Sequence, residues 1–481
     1  MRDAHYFLVM FFLRRTFPYG RLPRYTCSLC AISYLLFNSQ TEVMATKVTT
    51  FKTIHEHSAG IDIGAEKIFV SPDGEEVVSF DTFTSGYHAC IEYLQGKDIT
   101  MAAMEATGVY WMALYAMLES VGIKVCLVNP RETKQVKGRK TDVQDCRWIQ
   151  KLFSAGILRS SFVPEGRHME IRHLIRARLD LIEMGSVYVN RMQKSLEMMN
   201  IKLKEVISQV HGASGINMIK AIIAGCRDKE YLLGLCDLRI RKNKPDLILK
   251  ALEGNYNETY LFTLKMDMAL WEEHQNRLQI LDQAIENILT ELCQTKEAVA
   301  TTAKPKSIRH HAPKIAKLNL MMTTLYGTNV SSVSGLNDYT LLRLLGETGT
   351  DMQRFPTIKH FTSWCGLTPK THQTGRVNRS VKGMRCNRAG QIFKECAQGL
   401  LNSKHLAIGS FMRKLRARKD SAIAIKAGAR KLAEAFYNSI TKGVEYVEQG
   451  IKRYEEQIKN REVATLTRLA KKHNMQLVAT Q

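Results

Sequence analysis

The chain has 481 residues, enough for two or three domains, and its 45% apolar content is ordinary for globular protein. Lysine and arginine outnumber aspartate and glutamate 69 to 46, a formal net charge of +23, and a balance this basic asks for a polyanionic partner. The 11 cysteines are odd in number and scattered, which argues for reduced thiols and against a disulfide framework.

Residues 1–43 fit nothing that follows. Tyr6 to Leu13 is apolar but too short to span a bilayer. Arg14, Arg15, Arg21 and Arg24 separate it from a second apolar patch at Ala31 to Phe37. A signal peptide is the rival reading, but a chain this basic with the core described next makes a poor secreted candidate. The expectation is a non-native extension, with translation starting at Met44. Cys27 and Cys30 form a CxxC with no second pair to complete a zinc site.

The next elements alternate strands and helices. Ala59 to Ile63 alternates as a strand does, and Lys67 to Val70 reads as a second strand. Ser71-Pro72-Asp73-Gly74 is a turn signal, after which Glu76 to Phe80 makes a third strand. Ile99 to Ala103 reads as a buried strand running into Glu105. Gly108 to Ser120 has helical spacing, with Val109, Met112, Ala116 and Leu118 on its apolar side. Val125 to Val128 is a short buried strand closed by Asn129-Pro130. Thr141 suits a helix N-cap, and Asp142 and Asp145 follow three apart, on one helix face.

Three strands, helix, strand, helix, strand, helix is the element order of a ribonuclease-H-like core. It places Asp62 mid-sheet, Glu105 at the end of the next strand, and Asp142 with Asp145 on a later helix. Taken singly, such carboxylates are usually solvated or capping. Together, in this order, they form an oxygen-rich donor set of the kind Mg2+ takes while keeping several waters. Two such ions can clamp the attacking and leaving oxygens of a phosphodiester displacement.

From about Gly166 to Thr295 the chain turns helical. Trp271, Leu278, Leu281, Ile285, Ile288 and Leu292 make a heptad-like stripe, read either as a short coiled coil or as an amphipathic helix packed on its own domain. Arg172, Arg176, Arg178 and Arg191 lie off the apolar stripe of an earlier helix, free to touch nucleic acid or to solvate it. Thr301 to Pro313 reads as a linker. Beyond it, Lys359 to Lys431 carries 17 basic residues against Glu395 and Asp420, an excess that reads as a phosphate-binding surface. Within it, THQTGRVNRSVKGMRCNRAGQ reads as a basic, hydroxyl-rich loop. A hydroxyl among guanidinium groups suits nucleophilic attack on phosphate, and a plain DNA-contact loop is the alternative.

AGIDIG, MEATGVYW, NPRETKQVKGRKTDVQDC and FTSWCGLTPK, followed by CNRAGQ, resemble the DEDD transposases of the IS-one-ten insertion-sequence family. The resemblance covers roughly residues 55–165 and 325–445, and EGNY at Glu253 to Tyr256 fits the region between. It implies an α/β RuvC-like catalytic domain at 55–165, a helical and coiled-coil region at 166–299, a linker at 300–325, a mainly helical transposase domain at 326–450 and a basic helical tail at 451–481. It implies a cytoplasmic, nucleoid-associated prokaryotic recombinase, without membrane attachment, that acts on DNA element ends and targets. A structured noncoding bridge RNA and a homo-oligomer, dimer or tetramer, are implied as partners.

The resemblance also implies residue roles. Asp62, Glu105, Asp142 and Asp145 bind Mg2+ (or Mn2+). A serine that follows the GLTP motif and precedes a glycine attacks the DNA in this family. Here that position is Thr374, whose secondary hydroxyl is more crowded. Ser380 is the second candidate, and a decayed, inactive copy is the third reading. Arg376, Arg379, Lys382, Arg385 and Arg388 hold phosphates, Asn387 and Arg388 orient the loop, and Arg139 and Lys140 touch nucleic acid beside the metal. Two other functions stay open: a junction-resolving nuclease that uses water as nucleophile, and a non-catalytic nucleic-acid-binding relic.

Overall fold

The computed structural model describes residues 52–133, 141–164, 166–297, 299, 305–308, 311–374, 377–381, 385–403 and 405–476; for residues 131, 132, 370–374 and 377–381 it describes the backbone alone. The expectations for residues 1–43 and for Arg139, Lys140, Arg376 and Lys382 lie outside the described residues. The chain divides into two compact units, 1–162 and 163–481.

The first unit runs β1 (Ser58–Ile63), β2 (Lys67–Ser71), β3 (Val78–Asp81), α1 (Thr84–Gly96), β4 (Met101–Glu105), α2 (Trp111–Ser120), β5 (Lys124–Val128), a helical turn at Pro130–Thr133, and α3 (Asp142–Ser154). The sheet order is β3-β2-β1-β4-β5. The first three strands form an antiparallel meander, while β1–β4 and β4–β5 are parallel. This is the mixed sheet of a ribonuclease-H-like domain, with β1 at its centre. The turn after β2 forms as its residues dictate. Ser71 Oγ accepts from the Gly74 amide at 3.0 Å and donates to the Glu76 carbonyl at 2.7 Å, and Asp73 Oδ1 accepts from the Glu75 and Glu76 amides. Burial along β1 is nearly continuous, because both sheet faces are covered. Ala103, Cys126 and Val128 pack with Ile149 and Phe153 of α3.

Two elements shift from their expected places. A turn at 108–110 precedes α2, so Val109 is 71% exposed, and the helix buries Leu114 together with the expected Leu118. The fourth strand starts at Met101 rather than Ile99, and Glu105 is its last residue, as expected.

In the second unit α4 (Arg167–Met198) and α5 (Glu258–Gln294) lie antiparallel. Arg167 pairs with Glu291 at one end, and Ser195 meets Thr263 at the other. Ile285 and Ile288 of the predicted stripe are buried, and α5 packs on α4 of the same chain. Five short helices between Leu203 and Ala251 close over one end, around Met192, Leu196, Ile219, Leu232 and Leu264. The arginines of α4 are not a free basic face. Arg178 is buried with Asp282, Arg176 makes two hydrogen bonds to Glu347 at 3.0 and 2.8 Å, and Arg172 stands 3.4 Å from the same carboxylate. Arg191 pairs loosely with Asp267 at 3.9 Å.

The rest of this unit comprises α6 (Leu318–Tyr326), α7 (Asp338–Thr348), α8 (Ile358–Trp364), β6 (Lys370–Thr374), β7 (Val377–Val381), α9 (Arg388–Leu400), α10 (Ala407–Arg418), α11 (Ser421–Lys442) and α12 (Val444–Lys472). α6 begins inside the stretch read as linker, since Leu318, Met322 and Leu325 have a core to enter. Phe361 is fully buried, with the rings of Phe355, Trp364, Phe393, Phe436 and Tyr437 centred 5.1 to 6.2 Å from its own. No described helix is long and apolar enough to cross a membrane.

Candidate active site

The four carboxylates all belong to the first unit. Asp62 sits on the central strand opposite Phe69 of β2, and its neighbour Ile61 pairs with Met104 of β4. Glu105 ends β4 opposite Val128 of β5. Asp142 and Asp145 open α3, where the helix N-terminus favours negative charge. Thr141 caps that helix as expected, its hydroxyl accepting from the Gln144 amide at 3.3 Å.

Gly60 explains how α3 comes so near Asp62. A Cβ at this position would run into the backbone carbonyl of Cys146 and the backbone amide of Gln150. Backbone cannot swing aside as a flexible side chain can, so only glycine lets the helix rest on β1. Gln150 Nε2 fastens the contact, donating to the Ser58 carbonyl at 3.2 Å.

The electrostatics record the result. The Asp62 carboxyl is pushed up to about 6, first by burial and then by the negative charges of Asp142, Glu105 and Asp145. Burial and like charge both disfavour the ionised form. A divalent cation relieves both, and an all-carboxylate set suits a hard one. Among the described residues no group of three or more His, Cys, Asp or Glu side chains is arranged to hold a metal ion by itself. Mg2+ is commonly held by one or two carboxylates with water and substrate phosphate.

One residue of this site escaped the sequence reading. Thr133 donates its hydroxyl to Glu105 Oε2 at 2.8 Å and is only 8% exposed. Thr107 approaches the other oxygen at 3.4 Å. The signal lay in NPRET: β4 and β5 are parallel neighbours, so a hydroxyl one turn beyond β5 falls beside the end of β4.

The residues expected to supply a nucleophile lie in the second unit. The stretch read as a loop is a hairpin, because its threonines and valines suit a strand and a backbone ladder needs no apolar face. Thr374 pairs with Val377 beside the turn, and Ser380 pairs with Thr371 three positions along. The two therefore fall in opposite phases of the strand pleat.

The base of the hairpin is clamped. Asn387 caps α9 by accepting from the Gly390 amide at 2.8 Å, and its Nδ2 donates to the Trp364 carbonyl at 3.0 Å. A Cβ on Gly390 would strike the Cys365 carbonyl. Asn387 thus spends its amide on seating the hairpin, while Arg385 and Arg388 beside it are exposed.

Two family models match parts of the chain. Residues 59–201 match the DEDD transposase domain of the IS110 family, and residues 327–405 match the transposase domain of the IS116/IS110/IS902 family. The chain thus carries two regions that match domains of IS110-type transposases. The first match contains all four carboxylates, and the second contains the hairpin, Asn387 and Phe361. A transposase of this kind acts on the DNA of an insertion sequence, and its DEDD class uses a divalent metal. No curated protein matches the chain.

Proposed function

We propose that this transposase recombines DNA strands through a protein-linked intermediate, with Asp62, Glu105, Asp142 and Asp145 as its metal-binding carboxylates. The observation that carries the reading is the raised Asp62 carboxyl on the central strand, burdened first by burial and then by the negative charge of the other three. Bound there, Mg2+ (or Mn2+) would polarise the scissile phosphate and stabilise its developing charge.

The chain's own residues supply the rest. Thr374 Oγ, or Ser380 Oγ in its place, attacks phosphorus. The bond from phosphorus to one deoxyribose oxygen breaks, and that oxygen leaves as a hydroxyl after taking a proton. One phosphodiester is exchanged for another, so the energy for rejoining is kept in the protein–DNA bond. Arg376, Arg379, Lys382, Arg385 and Arg388 neutralise the phosphates, and Arg139 and Lys140 touch nucleic acid. Guidance by a structured bridge RNA, assembly as a dimer or tetramer and residence on the nucleoid in the cytoplasm belong to the same proposal.

Recombination of element-end DNA in the presence of Mg2+ tests it. Asp145→Ala should abolish strand exchange and leave DNA binding largely intact. Loss of binding along with activity would remove Asp145 from the ligand set. Arg385→Ala should weaken binding and lower its salt dependence, since one phosphate contact fewer releases about one counterion fewer. An unchanged salt slope would remove Arg385 from the phosphate contacts.

A further inference from the structure

A cavity of about 670 Å3 opens between α4 and α5, within the second unit. Its volume is that of a small-molecule site. The lining is unusual in its amides. Asn190 and Gln193 come from α4, and Gln275 and Gln279 from α5. Among the described residues, Asn190, Gln193 and Gln279 make no side-chain hydrogen bond to protein. Each amide offers a donor and an acceptor side by side, the pattern that matches the edge of a nucleobase.

The same wall carries Trp271, half-buried against the hydrophobic cluster at that end of the helix pair. One face of a rigid indole held in this way is a stacking platform. The charge also fits. Among the described residues Asp282 is the one carboxylate on the lining; it is matched by buried Arg178 and accepts from the Lys314 amide at 2.8 Å. Nothing on the wall repels a polyanion entering with its base.

We propose that this cavity receives an unpaired nucleobase of a single-stranded nucleic acid, stacked on Trp271 and read by the glutamine amides. The proposal rests on the nucleic-acid reading of the chain and adds a base-recognising site apart from the carboxylates and the hairpin. A base shut in a duplex cannot reach such a site, so the strand is single or locally opened.

The test uses the full chain and three dye-labelled 15-mers of equal length: oligoadenylate RNA, oligoadenylate DNA and a DNA of abasic sites. Binding is measured by fluorescence anisotropy for wild type and for Gln193→Leu/Gln279→Leu, with thermal melting to confirm folding. Wild type should bind at least one base-bearing strand about fivefold or more tighter than the abasic strand, the lower end of what one stacked base contributes. The double variant should lose that preference and keep its affinity for the abasic strand. A preference confined to RNA or to DNA identifies the source of the base. Equal binding of all three strands by wild type, or an unchanged preference in the double variant, overturns the proposal. Salt-sensitive binding of the abasic strand tests the nucleic-acid reading separately, since it needs phosphates alone.

Discussion

Thr133 reaches from the helical turn after β5 to the carboxylate of Glu105 at the end of β4, a 2.8 Å hydrogen bond that fixes the orientation of one proposed metal ligand. Removing the hydroxyl while keeping the shape isolates this contact. Thr133→Val should raise the Mg2+ concentration needed for half-maximal activity roughly tenfold, the usual cost of losing a partner that orients a ligand. Thr133→Ser should restore it. An unchanged Mg2+ requirement with a lowered melting temperature would leave Thr133 a merely structural residue.

Gly60 predicts a different failure. Gly60→Ala sets a methyl group against the backbone of α3, which should cost about 1–3 kcal/mol and lift Asp142 and Asp145 away from Asp62. Urea denaturation and Mg2+-dependent activity should both suffer. Gly96→Ala, where a Cβ meets nothing within 4 Å, is the control and should change neither. Wild-type activity in Gly60→Ala would show that α3 need not rest on β1.

Asp62 sets a pH dependence whose sign is fixed. Its carboxyl lies near 6 in the folded chain against an ordinary 3.8, so the folded state binds the proton more tightly. The stability this adds is full below about 3.8 and is lost as pH rises through about 6. In EDTA, Asp62→Asn should therefore remain more stable than wild type at pH 7.5, by on the order of 1 kcal/mol after solvent screening. At pH 4 the difference should vanish, and Asp62→Asn should be inactive throughout. A pH-independent difference in melting temperature would contradict the charge crowding.

The fold of the first unit was legible because local signals agreed with one another. Alternation marked β1, Ser71 to Gly74 marked the turn, and Thr141 marked the start of α3. The carboxylates were legible as a set because each stood at a junction of this order. Thr133 was not, since its partner lies 28 residues away and a threonine in a helical turn looks ordinary. The same limit hid the fate of Arg176 and Arg178. Their acids, Glu347 and Asp282, lie 171 and 104 residues along the chain, and spacing on one helix says nothing of them. The hairpin was missed because its polar sequence lacks the alternation that gave away β1.

The buried Arg178–Asp282 pair makes a prediction of its own. Arg178→Met strands a buried carboxylate and should cost about 3–5 kcal/mol, read by urea denaturation. Arg178→Met/Asp282→Leu removes both charges and should recover much of the loss. Equal destabilisation in the single and double variants would mean that packing, rather than charge, is what the pair provides.

The most direct measurement is a covalent trap. Protein starting at Met44 is mixed with its flanking element RNA, DNA ends and Mg2+, then run on a denaturing gel beside Thr374→Ala, Ser380→Ala and Asp145→Ala. The account predicts a protein–DNA band that is lost in Asp145→Ala and in one of the two hydroxyl variants, Thr374→Ala in the first instance. Because Thr374 and Ser380 lie in opposite phases of the hairpin, only one of them should be required. Nicked DNA with no protein-linked band in wild type would contradict the account and leave a hydrolytic nuclease in its place.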